Sequence, residues 1–173
     1  RQRIALIGLR GAGKSSLGRA LAAELGAPFI ELSGEIERLA GCGIDEIHAL
    51  YGQTAYRRYE LRALEEVIRA HARAVIATPG GIVSEPATFN LLLTHCYTVW
   101  LKATPDEHMS RVLAQGDRRP MAGNREAMAD LKRILESRAQ FYSKADQTVD
   151  TSAMPPERAL ARLREQISAG ATP

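Results

Sequence analysis

The sequence is poor in the residues that mark disulfide-rich, metal-binding and membrane-spanning proteins. Among 173 residues there are two cysteines, and Cys42 and Cys96 stand alone without a CxxC pair. This pattern argues against a disulfide framework or a cysteine zinc site and is typical of small buried side chains in a reducing cytoplasm. The sequence shows no apolar run of membrane-spanning length and no signal peptide. We therefore expect a cytoplasmic protein with no membrane partner.

Aromatic residues make up only 5% of the sequence, and the net charge is only +3. So small a charge does not indicate nucleic-acid binding by this segment, although it suits an anionic small ligand. The four histidines have neither HxxH nor HxxxH spacing, so they predict no metal-binding pair. Internal repeats and low-complexity linkers are missing as well. Residues 1–173 are therefore expected to form a single domain.

What the sequence does contain is an alternation of short β-rich runs and longer helical runs. Strand-like runs lie at 4–9, 29–32, 74–78, 97–102 and 148–150. Helical patterns lie at 14–25, 34–40, 44–51, 54–72, 86–94, 105–114, 125–142 and 156–168. Such alternation predicts an α/β fold with a parallel sheet, right-handed crossovers and helices on both faces.

The strongest motif is a glycine-rich loop directly after the first apolar run. Residues 8–15 read GLRGAGKS, which matches the pattern GxxxxGK[ST]. In this motif backbone N–H groups surround phosphate oxygens, Lys14 adds a positive charge, and the Ser15 hydroxyl is an Mg²⁺ ligand. The predicted phosphate-binding residues are Gly8, Gly11, Ala12, Gly13, Lys14, Ser15 and Ser16.

Further site residues follow from the rule that ligands bind at the carboxyl ends of parallel strands. The rule selects residues 10–15, 31–33 and 79–84, together with the loop after Ala114. The segment 115–124 is polar, basic and flanked by glycines, so we expect a lid that brings Arg119 onto the phosphates. A solvated basic loop is the alternative interpretation of this segment.

Nearly the whole chain resembles shikimate kinase, a small P-loop kinase of the nucleoside-monophosphate-kinase type. After the phosphate loop, FIELSGEIE (29–37), GQTAYRRYE (52–60, similar to GExxFRxxE), ATPGG (77–81, similar to ATGGG) and RPM (119–121) follow in the family's order. The resemblance implies a three-layer P-loop NTPase fold with a five-stranded parallel sheet. It also implies an acceptor-binding region around residues 33–60, a closing lid, and ATP or ADP with Mg²⁺ as cofactors.

By this resemblance, Arg57, Gly80, Gly81 and Arg138 would line the pocket that holds the carboxylate and ring of shikimate in such kinases. Two guanidinium groups suit bidentate recognition of an anion. For Arg57 alone, a surface ion pair with Glu60 three residues later is the alternative. Both can hold, because Glu60 can orient Arg57.

The chain departs from the family at the DxD motif that ends the second strand. Here the two positions are Glu31 and Ser33. Glu31 can still reach Mg²⁺ through a water molecule, whereas a serine cannot act as the general base. Pro79 also replaces the first glycine of GGG and removes one N–H group. If the chain is a kinase, Lys14 and Arg119 are the remaining catalytic candidates.

An intact phosphate loop beside a lost base favours binding over catalysis. In this respect the chain resembles the effector domain of benzoyl-CoA-responsive transcriptional regulators, which follows a helix-turn-helix domain. We therefore expect a domain excised from a regulator of aromatic (benzoate) catabolism that binds benzoyl-CoA or a similar acyl-CoA. It would contact DNA only through an N-terminal domain absent from this sequence, and a homodimer is compatible with it. The phosphate loop could hold ATP or coenzyme A phosphates.

The alternative function is that of an active shikimate kinase. Such an enzyme would transfer the γ-phosphate of ATP to shikimate or a related polyol. The retained phosphate loop, Arg57, Arg138 and Arg119 favour it.

Overall fold

A computed structural model of the chain describes residues 2–9, 12–103 and 124–170. Its centre is a five-stranded sheet in the order β2-β3-β1-β4-β5, and every neighbouring pair is parallel. The strands are β1 (Arg3–Ile7), β2 (Phe29–Glu31), β3 (Ala74–Ala77), β4 (Tyr97–Lys102) and β5 (Gln147–Asp150). The predicted five-stranded parallel α/β fold is therefore confirmed.

The described ranges also contain six α-helices and one short 3₁₀ helix, and all but the last helix lie between strands. The α-helices are α1 (Lys14–Leu25), α2 (Leu32–Ala40), α3 (Ile44–Ala70), α4 (Pro86–His95), α5 (Asn124–Tyr142) and α6 (Pro156–Gly170), and the 3₁₀ helix is Gly80–Ser84. The helix predicted at 105–114 lies outside the described residues. Among these six, no helix is long and apolar enough to cross a membrane.

The helices form two layers because alternate side chains of the strands point to opposite faces. In β1, Ile4 and Leu6 join one core cluster, whereas Ala5 and Ile7 join the other. Helices α1 and α6 supply Leu21 and Leu163, among others, to the first cluster. The second cluster is covered by α2, α3, α4 and α5. A central strand that is buried on both faces explains the uninterrupted apolar run before the glycine-rich loop.

Two helical segments are predicted at 44–51 and 54–72, and α3 (Ile44–Ala70) is indeed interrupted between them by a kink. Gly52 lies at the kink with φ 84° and ψ 174°, a conformation that favours glycine. The kink separates a first half that buries Ile47 from a second half that carries Arg57 and Glu60.

Candidate active site

The glycine-rich loop joins β1 to α1 at the carboxyl edge of the sheet. Gly8 has φ 146°, and a Cβ atom there would lie 2.7 Å from the carbonyl oxygen of Leu101, so a side chain does not fit. Gly13 then precedes the first residue of α1, Lys14. The first turn of any α-helix leaves backbone N–H groups without partners in the helix, and such groups bind anions. Gly11 lies outside the described residues and stays a prediction.

The Lys14 ammonium group is held by the loop itself. Its Nζ atom donates hydrogen bonds to the carbonyl oxygens of Gly8 and Leu9, the second at 3.2 Å. Desolvation lowers the pKa of Lys14 to about 7; Glu31 opposes this change, and Arg138 adds to it. A phosphate group in the loop would supply the negative charge that stabilises the protonated ammonium.

A hydroxyl and a carboxylate meet beside the ammonium group. Ser15 Oγ donates a hydrogen bond of 2.7 Å to Glu31 Oε2. Glu31 is the last residue of β2, so the strand places it at the same edge as the first turn of α1. Oxygen ligands of this kind are those that Mg²⁺ prefers, and the pair fits the predicted metal contacts. Ser16 is exposed one residue further along α1.

The predicted acceptor residue Arg57 is fixed by a buried carboxylate. Its Nη1 atom donates to Glu60 Oε1 at 3.0 Å and to the Gly81 carbonyl oxygen at 3.2 Å. Glu60 has no exposed surface, and its Oε2 accepts a hydrogen bond from the Tyr56 hydroxyl at 3.4 Å. Burial raises the pKa of Glu60, while the Arg57 guanidinium opposes the rise. The ion pair predicted within α3 is present, but it is a buried one that orients Arg57 toward the 3₁₀ helix.

A second guanidinium group, from α5, approaches the same turn. A Cβ atom on Gly81 would lie 3.0 Å from Arg57 Nη2 and 3.4 Å from Arg138 Nη2. Both guanidinium groups therefore lie over Gly81, where the missing side chain leaves them room. Gly80 lies beside them and is half-buried. Two converging cations are suited to a carboxylate or a phosphate.

Tyr142 connects Arg138 to the turn, a role that the sequence argument did not assign. Its hydroxyl donates to the Gly80 carbonyl oxygen at 2.8 Å, and the nearby Arg138 guanidinium opposes the rise that burial causes in the pKa of Tyr142. Its fully buried ring stacks on Trp100, with 5.4 Å between centroids. Arg138 and Tyr142 are four residues apart on one helix, and this spacing could have placed them on one face.

Ser33 occupies the position where the resemblance expects a carboxylate. It is half-buried and lies in α2, which begins at Leu32, earlier than the predicted start at 34. A serine hydroxyl can accept or donate a hydrogen bond, but it does not take up a proton at neutral pH. The position therefore offers orientation without a base. Residues 115–123 of the lid predicted at 115–124, with Arg119, lie outside the described residues, and Asn124 begins α5.

A mostly apolar cavity of about 400 Å³ adjoins the phosphate loop and was not predicted. It lies between α1 and the turn that joins β5 to α6, and it is lined by Ala12, Gly13, Ser16, Leu17, Ala20, Thr151, Met154, Pro156, Glu157, Ala159 and Leu160. The turn contains Ala153 with φ 56°. No motif marks this turn, but it follows a strand end, so the rule on strand ends could have selected it.

Comparison with known proteins gives one consistent family. The sequence profile described as "Shikimate kinase" matches residues 10–168. The chain is 36% identical over 162 residues to a shikimate kinase of Synechococcus sp. (strain JA-3-3Ab), covering 94% of this chain and 83% of that protein. It is 37% identical over 154 residues to a shikimate kinase of Zymomonas mobilis, covering 89% and 86%.

Solved structures agree with the sequence comparison. A shikimate kinase from Acinetobacter baumannii in complex with shikimate has a TM-score of 0.87 at 25% identity, covering 99% of this chain and 96% of that one. Shikimate kinase from Bacteroides thetaiotaomicron has a TM-score of 0.87 at 30% identity, covering 96% and 98%.

On these comparisons, the expected benzoyl-CoA effector domain of a transcriptional regulator is wrong. The relatives are shikimate kinases matched over most of their length, and nothing in them supports an acyl-CoA effector or a regulatory role. The serine at position 33 does not by itself exclude catalysis. Catalysis of phosphoryl transfer is mostly positioning and charge stabilisation, and one lost base does not remove those. The expected ATP and Mg²⁺ are confirmed, because shikimate kinases use both.

Proposed function

Because the chain belongs to the shikimate kinase family, we propose that it transfers the γ-phosphate of ATP to a hydroxyl group of shikimate. One observation carries the proposal: a cation of the acceptor half lies within electrostatic reach of the ammonium group in the phosphate half. The charge of Arg138, which lies over Gly81, contributes to the lowered pKa of Lys14 in the phosphate loop. An acceptor held by the arginines would therefore lie near a phosphate held by the loop.

In the phosphate half, the first turn of α1 and Lys14 would bind the outer phosphates of ATP. Ser15 and Glu31 would hold Mg²⁺, Glu31 through a water molecule, and the ion would neutralise charge on the phosphate oxygens. The cavity beside Ala12 and Leu160 would take the nucleoside, since apolar walls suit a base. Arg119 in a lid at 115–124 completes this half of the proposal.

In the acceptor half, Arg57 and Arg138 would bind the shikimate carboxylate. Arg57 lies within the predicted acceptor-binding region 33–60, and Arg138 lies outside it. Glu60 keeps the Arg57 guanidinium in one orientation, which lowers the entropic cost of binding. With the carboxylate fixed at Gly81, the ring hydroxyls extend from the arginines toward the loop. Proximity of this kind is a large part of catalysis by kinases.

Ser33 would orient the attacking hydroxyl without accepting its proton. In a loose transition state the nucleophile needs little activation, so the proton can leave late, to the transferred phosphate group. General-base catalysis contributes about 10²–10⁴-fold to a rate, and ordinary enzymes turn over at roughly 1–10³ s⁻¹. The median kcat of enzymes is about 10 s⁻¹, so without the base we expect kcat between about 0.001 and 0.1 s⁻¹ near neutral pH.

The test is a coupled assay of ADP release with ATP, Mg²⁺ and shikimate. We expect release that depends on shikimate, with a phosphate ester of shikimate detected by mass spectrometry. The matched control is Arg57→Ala, which keeps the phosphate half and should raise KM for shikimate without changing KM for ATP. ADP release that is unaffected by shikimate, or no release at all, would contradict the proposed function.

A further inference from the structure

The Arg57 guanidinium group uses only part of its hydrogen-bonding capacity within the described protein. Nη1 is occupied by Glu60 Oε1 and by the Gly81 carbonyl oxygen. Nε is buried, and no described group accepts a hydrogen bond from it. Nε and Nη2 form the side edge of a guanidinium group, which can bind both oxygens of a carboxylate. This edge is therefore the part of Arg57 that has hydrogen-bonding capacity left for an acceptor.

Glu85 is the carboxylate that lies next to this edge. Its Oε1 atom is 3.8 Å from Arg57 Nε, close enough for an ion pair but too far for a hydrogen bond. Its side chain is 42% exposed, whereas that of Glu60 is fully buried. The two carboxylates therefore differ in kind: Glu60 is a fixed partner of Arg57, and Glu85 is a movable neighbour.

The backbone holds Glu85 at this place. It precedes Pro86, which restricts its backbone to the extended region, and it has φ −106° and ψ 106°. Its carbonyl oxygen accepts a hydrogen bond from Phe89 N at 2.9 Å in the first turn of α4. Its charge also adds to the rise that burial causes in the pKa of Glu60. The backbone therefore fixes where the Glu85 side chain starts, and the effect on Glu60 indicates that the Glu85 charge reaches the Arg57–Glu60 pair.

We propose that Glu85 is a specificity-determining residue that competes with the acceptor's carboxylate for the side edge of Arg57. A shift of about 1 Å would bring Glu85 into hydrogen-bond distance of Nε. An anionic acceptor must displace the Glu85 carboxylate from Arg57, whereas binding of ATP in the phosphate half does not require this displacement. Glu85 therefore raises KM for a carboxylate-bearing acceptor and leaves kcat and KM for ATP unchanged. This inference rests on the proposed function.

The test compares Glu85→Gln with the unmodified protein in the same kinase assay. An exposed ion pair contributes little, so KM for shikimate should fall about two- to fivefold, with kcat unchanged. The difference should shrink at high salt, because exposed charges are screened. The methyl ester of shikimate has no carboxylate and should show no change. Glu65→Gln, an exposed substitution on α3, is the matched control and should behave as the unmodified protein.

Calorimetric titration of shikimate into both proteins without ATP separates this inference from the proposed function. If shikimate binds but is not phosphorylated, the proposed function fails, and a lower Kd for Glu85→Gln still supports the inference. The inference is overturned if KM and Kd stay the same or rise, or if the methyl ester gains equally. Lack of shikimate binding by both proteins also overturns it.

Discussion

The two halves of the site are built in different ways. The phosphate half comes from neighbouring segments: Lys14 bonds to the loop that precedes it, and Ser15 and Glu31 are 16 residues apart. The acceptor half is assembled from α3, the 3₁₀ helix and α5. Arg57 and Gly81 are 24 residues apart, and Tyr142 and Gly80 are 62. The local half carries one continuous motif, whereas the acceptor half is recognised only through several short segments that lie far apart in the sequence.

Because the two halves are held by separate contacts, a substitution in one half should leave the contacts of the other intact. Ser33 lies at the border between the halves, two residues after Glu31. Its replacement of a carboxylate removes a possible base but disturbs neither the contacts of Lys14 nor those of Arg57. Loss of one chemical group in a site held by independent contacts should lower a rate rather than abolish a function.

The largest effect is expected in the phosphate half, from Lys14→Met. This change removes the ammonium group that would stabilise charge on the transferred phosphate. Loss of one such group costs about 10²–10³-fold in rate, so the kcat/KM for ATP should fall by that factor in the coupled assay. Arg19→Met on the same helix, where the guanidinium lies over the Phe29 ring, is the control and should retain activity. Comparable losses in both variants would mean that helix damage is responsible.

The same variant should stabilise the ligand-free protein in a way that depends on pH. The pKa of Lys14 falls from 10.5 to about 7 in the folded state. The unfolded chain then binds more protons between these values, so stability of the unmodified protein rises with pH across this window. The gain in Tm from Lys14→Met should be largest at pH 6 and should shrink toward pH 10. A gain that grows with pH contradicts the account of Lys14.

A smaller effect, of opposite sign, is expected at the border from Ser33→Asp. A carboxylate at this position could accept the proton of the attacking hydroxyl. Because general bases contribute about 10²–10⁴-fold and this one is not tuned by its neighbours, kcat should rise by only about 10–100-fold. The measurement is kcat in the coupled assay with saturating shikimate. Ser33→Asn is the control, because asparagine has nearly the same shape as aspartate but no basic group. An equal rise of kcat in Ser33→Asn would show that positioning is responsible.

Local features were the ones that sequence could predict. The phosphate loop, the start of α1 at Lys14 and the full extent of β4 follow from motif and periodicity, since each depends on adjacent residues. The pairing of Arg57 with Glu60 also follows from helical spacing. The burial of this pair does not follow from helical spacing, because the burial of Glu60 depends on how α3 packs against the rest of the second core cluster.

Two features that depend on distant elements were not predicted. The cavity beside α1 needs the turn after β5, and the contact of Glu85 with Arg57 needs α4 beside α3. Pattern and propensity report local preferences, and the tertiary contacts that override them are not visible in a single sequence.

The smallest effect is expected in the acceptor half, from Tyr142→Phe. The change keeps the ring stacked on Trp100 and removes only the hydroxyl that donates to the Gly80 carbonyl oxygen and contacts Arg138. A buried hydrogen bond contributes about 1 kcal/mol, so KM for shikimate should rise about fivefold as Arg138 and the turn lose their alignment. KM for ATP should stay constant, because Tyr142 makes no described contact with the phosphate loop.

Tyr97→Phe is the matched control for this prediction. It also removes one tyrosine hydroxyl group, but at the first residue of β4 and not in the acceptor half. It should leave both KM values unchanged. If Tyr142→Phe raised KM for ATP as much as KM for shikimate, the two halves would share one support through α5. Their separation, on which the interpretation of Ser33 depends, would then be lost. If only KM for shikimate rises, the acceptor half is aligned by its own long-range contacts and can change independently of the phosphate loop.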